Sequence, residues 1–229
     1  MSDAPLDPRW PKVLSLTVHE FRTPMTVVSG YIRMLLKDRA GALTDQQRRL
    51  LEEAEKACGR LSGLVSEVSD LSNLEAGTLT MNRQGTDLRS ALRKAAEQLP
   101  PLPDRDIPVA LELRDGTANV NGDPIRLAQA FGAIFAALRR EFVSADRLIV
   151  REHEDGAEGG ARTIELRIGD EDAVAALETD PERPVFDEWR GGVGLTLLVA
   201  RRILERHGGQ LWGAPGGRKS GARVVIPLE

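Results

Sequence analysis

The sequence predicts an α+β protein in which an N-terminal antiparallel helical hairpin forms a dimeric four-helix bundle and a mixed sheet covered by helices follows. Three observations predict it. Apolar residues recur at spacings of 4, 3, 4, 3, 4, 3 through two long stretches near the N-terminus, which is the seam of helices packing on helices. Farther on, Val109–Leu113, Arg147–Arg151 and Thr163–Ile168 alternate apolar with polar residues, as half-buried strands do. Between and after these strands lie helical stretches, including the apolar run Leu127–Leu138, whose length suits a buried core helix.

In chain order, residues 1–9 carry Pro5 and Pro8 with few apolar partners and read as a loose lead-in. The first helix is expected from about Lys12 to Lys37, with seam residues Leu14, Val18, Phe21, Met25, Val28, Ile32 and Leu35. Gly41 marks a turn. Thr44 with Gln47 three residues later forms a capping box for a second helix. Its seam is Leu50, Ala54, Ala57, Leu61, Leu64, Val68 and Leu71, and Gly77 reads as its C-terminal cap. One hairpin cannot cover both seams, so a homodimer is the economical expectation. The division falls after residue 82: a hairpin domain over 1–82, then a second domain over 83–229. There, helices are expected over about Leu88–Leu99, Pro124–Phe142 and Leu195–His207. Residues 155–160 read as a hairpin turn, and Gln210–Trp212 and Ala222–Pro227 as final strands. His207 before two glycines has a sufficient role at a helix end and is given no catalytic part.

Composition narrows the function. A net charge of −4 with dispersed Lys and Arg argues against nucleic acid as the main partner. The single cysteine, Cys58, cannot form an internal disulfide and fits a reducing, cytoplasmic setting. No apolar run reaches 18 residues and no leader-like start is present, so neither a membrane nor a leader is expected. No metal ligand set is expected either.

The hexapeptide His19-Glu20-Phe21-Arg22-Thr23-Pro24 lies inside the first helix. His19 follows the seam residue Val18 and so points about 100° away from the seam. Pro24 removes one helical hydrogen bond and crowds the Glu20 carbonyl, a cost of roughly 3 kcal/mol. This hexapeptide resembles the phosphoacceptor box of bacterial sensor histidine kinases. Leu74-Glu75-Ala76-Gly77 resembles the end of that family's dimerisation and phosphotransfer domain. The resemblance implies that His19 carries a phosphoryl group, that Glu20 orients His19 or takes its proton, and that Thr23 holds a water for hydrolysis of a receiver's aspartyl phosphate. Arg22 reads equally as a phosphate contact or as a solvated arginine.

The second half resembles the ATP-binding domain of the same family, a GHKL-type α/β sandwich. Asp123-Pro-Ile-Arg-Leu-Ala-Gln resembles the start of the N box, and Gly191-Gly-Val-Gly-Leu-Thr-Leu the second glycine box. Asp170 stands where the first glycine box keeps its adenine-reading aspartate. Asp170, Gly192 and Gly194 are therefore the expected remnant of a nucleotide site. The departures are several. The two N-box asparagines, one of which holds magnesium, are replaced by Ala133 and Ala137, which have no oxygen to offer a cation. Asp172 and Val174 stand in place of glycines, and valine in a glycine conformation would be strained. Val185-Phe-Asp-Glu-Trp resembles the aromatic box, yet only Arg190 separates it from Gly191, which leaves no lid. Thr196 replaces the last glycine of its box.

The expectation is a two-component protein working through His19 by phosphotransfer or as a response-regulator phosphatase, with a degenerate ATP-binding domain and no cofactor. Two alternatives stay open. One is an active autokinase using Mg-ATP, with ligands relocated to Glu141 or Arg140. The other is a non-enzymatic docking module. Partners implied are a second copy, a receiver domain and an upstream kinase or sensor. Input is expected from such a partner or from further segments of a longer chain.

Overall fold

A computed structural model describes residues 9–155, 162–189, 194–218 and 220–229. The chain divides into two compact units, residues 1–79 and 80–229.

The first unit is the hairpin of α1 (Trp10–Leu36) and α2 (Asp45–Glu75). Pro11 sits in the first turn of α1, where its missing N–H costs nothing, and Pro24 lies in the interior. The capping box forms as expected: the Thr44 hydroxyl accepts from the Gln47 amide at 3.3 Å and the Gln47 side chain accepts from the Thr44 amide at 2.9 Å. α2 ends in a Schellman turn. Gly77 adopts φ +68°, its amide donates to Leu74 O, and the Thr78 amide donates to Asn73 O. The base of the hairpin is joined by Ser72, whose buried hydroxyl donates to Pro11 O at 2.7 Å.

Each seam is only partly used within the hairpin. Val18 and Ile32 are buried and Met25 half-buried, one residue per two turns. The intervening seam residues Phe21 and Val28 stay exposed, as do Leu50, Leu61 and Leu64 of α2. On α2, Leu51, Cys58 and Val65 are half-buried and Ser72 is buried, one heptad apart and about 100° round the helix from the expected seam.

The second unit holds a five-stranded sheet in the order β2 (Val109–Glu112), β4 (Leu148–Asp155), β5 (Thr163–Gly169), β7 (Ala222–Pro227), β6 (Gln210–Gly213). β2 runs parallel to β4 and the other neighbours are antiparallel. The turn expected between β4 and β5 falls at 156–161, outside the described residues, but the strands it joins pair antiparallel from Asp155↔Thr163 onward. A separate two-stranded sheet pairs β1 (Gln84–Asp87) with β3 (Asn119–Gly122).

The core lies between the large sheet and the helices α3 (Leu88–Glu97), α4 (Pro124–Glu141) and α6 (Thr196–Arg206). α4 packs against both α3 and α6. Phe131, Ile134, Phe135 and Leu138 of α4 are fully buried, as the apolar run predicts. They meet the sheet face carrying Val150, Leu166, Ile168, Val224 and Ile226. The opposite face carries Arg151, Arg167 and Arg223 in register across three strands. Like charges in lateral contact repel, and carboxylates and carbonyls offset this. Arg151 donates to Glu112 at 2.6 Å and to Glu178 at 2.8 Å, Arg167 donates to Glu165 at 2.7 Å, and Arg223 donates to Asp180 O at 3.0 Å. No helix among the described residues is long and apolar enough to cross a membrane.

A buried ion pair joins α3 to β4. Arg89 Nε donates to Glu152 Oε2 at 2.8 Å and Arg89 Nη1 to Asp115 O at 3.0 Å, while Glu152 also accepts the Arg114 amide. Burial pushes the Glu152 carboxyl up, and these donors outweigh it, so its pKa lies below the ordinary value. Removing one partner leaves an unpaired buried charge. Arg89→Ala is expected to lose about 3–5 kcal/mol in urea unfolding, and replacing Arg89 and Glu152 together by Met and Leu to recover most of it; an equal loss in the double variant would show that the pair is not the cause.

Candidate functional site

The phosphoacceptor-like residues all lie on the exposed side of α1. The His19 side chain is 79% exposed and Glu20 73%, with His19 Nδ1 3.7 Å from Glu20 Oε1. That separation exceeds a hydrogen bond; such contacts commonly tighten only with substrate bound. Thr23 is one turn beyond His19, so the two side chains are neighbours on the helix surface. Thr17 and Thr26 donate their hydroxyls back to the carbonyls of Val13 and Arg22, at 2.9 and 2.8 Å. The hydroxyl of Thr23, also exposed, is not tied to its helix in this way. Arg22 borders an open groove of about 200 Å³ between the helices, shared with Met25, Ser29, Arg33, Ser62 and Val65. The structure thus places His19, Glu20 and Thr23 together and turns Arg22 toward a different face.

A further feature of this helix escapes a reading built on one seam. Leu16, Val27, Tyr31 and Met34 are exposed, Leu16 by 63% and Tyr31 by 62%. Their positions fall on the side of α1 that bears Glu20 and Thr23, roughly opposite the seam of Val18, Met25 and Ile32. α1 is therefore apolar on two sides. The signal was present in the sequence as a second 3–4 spacing, 16, 20, 23, 27, 31 and 34, in which polar chemistry replaces apolar residues only at Glu20 and Thr23.

In the second unit the expected nucleotide remnant is partly committed to structure. Asp170 ends β5 and starts α5 (Glu171–Thr179), and its Oδ1 accepts the Ala173 amide at 2.8 Å. The stretch read as a worn glycine box is thus the first turn of a helix. The strain expected of Val174 does not arise, because Val174 is helical and fully buried. Two of the consecutive carboxylates Asp170, Glu171 and Asp172 have partners: Asp170 caps the helix, and Glu171 lies 3.3 Å from Arg147 and 3.8 Å from Arg151. α5 is seated by small residues. A Cβ on Gly169 would lie 2.8 Å from Ala173 Cβ, and one on Gly221 2.7 Å from Ala214 Cβ and 2.9 Å from Ala173 Cβ.

Ala133 and Ala137 are buried on α4. Gly194 is described, at φ +66°, just before α6, and Thr196 is the first residue of that helix. Gly192, with Arg190 and Gly191, lies outside the described residues. In the segment resembling the aromatic box, Phe186 is buried while Trp189 is exposed, and Glu188 pairs with Arg201. Asp123 caps α4 through the Ile125 and Arg126 amides.

A helical hairpin with an exposed histidine beside a carboxylate, followed by a helix-covered mixed sheet, is the architecture of a histidine kinase core. Residues 12–77 match the His Kinase A (phospho-acceptor) domain, and most of the chain is similar to sensor histidine kinases. It is 29% identical over 209 residues to the sensor histidine kinase GacS of Pseudomonas protegens, covering 84% of this chain and 22% of that protein. It is 28% identical over 205 residues to the signal transduction histidine-protein kinase BarA of Escherichia coli, with the same coverage of 84% and 22%. The chain therefore spans about a fifth of the length of these relatives. Its fold is similar to that of full-length ShkA, crystallised in complex with AMPPNP, at a TM-score of 0.69 and 23% identity over 95% of this chain and 46% of that one.

If Asp170 serves the helix, Asp170→Ala should lower stability by about 1 kcal/mol, as loss of an N-cap does, while Asp170→Asn, which keeps the acceptor, should not. Equal losses for the two in urea unfolding would contradict the capping role.

Proposed function

We propose that this chain works through His19 as a phosphotransfer protein, a response-regulator phosphatase, or both, and that its ATP-binding domain has lost nucleotide binding. The observation that carries the reading is the contrast between the two units. His19, Glu20 and Thr23 are exposed together on one helix face, whereas the positions matching the two N-box asparagines, one of which holds magnesium in the family, are alanines buried on α4.

In the transfer step Glu20, nearest Nδ1, holds the proton there and leaves the Nε2 lone pair free. Nε2 attacks the phosphorus of a receiver's aspartyl phosphate, the P–N bond forms as the bond to the aspartate oxygen breaks, and Glu20 takes the Nδ1 proton. The reverse sequence returns the phosphoryl group. In the hydrolytic step a water held by Thr23 attacks the same phosphorus, the receiver's carboxylate leaves, and Glu20 accepts the water's proton. The receiver docks on the apolar stripe of Leu16, Val27, Tyr31 and Met34, which flanks the reacting groups. A second copy covers Phe21, Val28, Leu50, Leu61 and Leu64, giving a homodimer.

Autokinase activity is the second reading. The likeness to ShkA, crystallised with AMPPNP, and the first turn of α6, which lacks a side-chain cap, favour it.

Calorimetry with Mg-ATP up to millimolar concentration separates these readings: no heat is expected, and micromolar binding would overturn the loss of the nucleotide site. His19→Gln should abolish phosphotransfer to or from a phosphorylated receiver while sparing its dephosphorylation, which Thr23→Ala should slow by on the order of tenfold or more; if neither variant changes either rate, the hairpin is a docking module. Light scattering at micromolar protein is expected to give the mass of a dimer, and a monomer would refute that assignment.

A further inference from the structure

His207 is the C-terminal cap residue of α6 and its side chain is buried. Both ring nitrogens are engaged. Nδ1 lies 2.7 Å from the carbonyl of Ile203, which can only accept, so Nδ1 carries a proton. Nε2 lies 2.9 Å from the backbone nitrogen of Asp123, which can only donate, so Nε2 bears none. The neutral ring protonated at Nδ1 is the one species that satisfies both. The imidazolium would set an N–H against the Asp123 N–H.

Asp123 is a junction in its own right. Its Oδ1 caps α4 through the Ile125 and Arg126 amides, and its Oδ2 accepts the Asn82 amide at 3.0 Å, which fixes the segment entering the second unit. The ring lies against Gly122, where an added Cβ would come 3.0 Å from His207 Cδ2, so a larger residue there would displace it. Two charged groups act on the ring from the elements packed against it. The Asp123 carboxylate, at the start of α4, favours protonation. The Arg83 guanidinium opposes it, from the segment before β1, where it donates to Arg206 O at the end of α6.

We propose that His207 is a proton-operated latch: the neutral ring holds the start of α4 against the end of α6, and proton uptake releases that junction together with the Asn82 anchor. This inference stands apart from the chemistry at His19. Burial, the largest influence, holds the His207 pKa below the ordinary imidazole value despite the Ile203 carbonyl and the Asp123 carboxylate. The sign follows. A group whose folded pKa is depressed gives stability that is complete above the unfolded value of about 6.5, and that stability declines as pH falls through this value toward the folded one.

Hydrogen exchange of the whole chain at about pH 7.5 and about pH 5.5, corrected for intrinsic rates, tests the latch on either side of the imidazole range. The Asn82, Ile125 and Arg126 amides should lose protection by about tenfold at the lower pH, while the amides paired between β5 and β7 keep theirs. In His207→Gln, whose side-chain oxygen still accepts from Asp123 but does not titrate, the three amides should show no such step. Unchanged protection in the native protein, or a full step in the variant, overturns the latch. If the variant does not fold, NMR titration of the native protein decides. A His207 ring that protonates below the ordinary value, with the Asn82 amide shifting at the same midpoint, supports the latch; a ring titrating at the ordinary value while Asn82 stays still overturns it.

Discussion

Three strands of the second unit pass directly into helices, and at each junction one aspartate carboxylate takes one or two free amides of the first helical turn. Asp87 does so between β1 and α3, Asp123 between β3 and α4, and Asp170 between β5 and α5. The first two also reach beyond their helix, Asp87 to the Ala118 amide and Asp123 to that of Asn82. Burial raises the carboxyls of Asp87 and Asp123, and the donors around them outweigh it, so both stay ionised below the usual range. A strand cannot slip by one residue without carrying its aspartate away from the helix it starts, so strand register and helix position are set together. The packing of α4 between α3 and α6 and the seating of α5 on β5 depend on these joints.

The same constraint fixes the role of Asp170: its Oδ1 takes the Ala173 amide, and the stretch that follows is the helix α5. α5 is seated against two glycines, since a Cβ added at Gly169 would lie 2.8 Å and one at Gly221 2.9 Å from Ala173 Cβ. The first unit carries no such commitment: around His19, Glu20 and Thr23 the surface is open and polar groups face outward.

Much of this was legible in the residues. The capping box at Thr44, the glycine turn at Gly77, the buried run from Leu127 to Leu138 and the five strands of the large sheet each depend on local periodicity or on cap chemistry, which a sequence displays directly. α5 was not read, although Asp170, two acidic residues in the first turn and apolar Ala173, Val174 and Leu177 form an ordinary helix start. Comparison with a glycine-box pattern drew attention to which glycines were missing and away from what their replacements form. β1 and β3 are four residues each and mostly polar, too short for alternation to register. The placement of His207 against Asp123 joins residues far apart in sequence, and the Arg89–Glu152 pair does the same; no spacing rule could have revealed either. On α1 the buried seam dominated the pattern, although the second stripe also stands in the sequence as a 3–4 spacing.

That second stripe has a consequence for how the protein can change over generations. Leu16, Val27, Tyr31 and Met34 lie away from Val18, Met25 and Ile32, so substitutions on one side of the helix need not disturb the other. A duplicated gene could alter those four side chains while the packing of its hairpin is inherited intact.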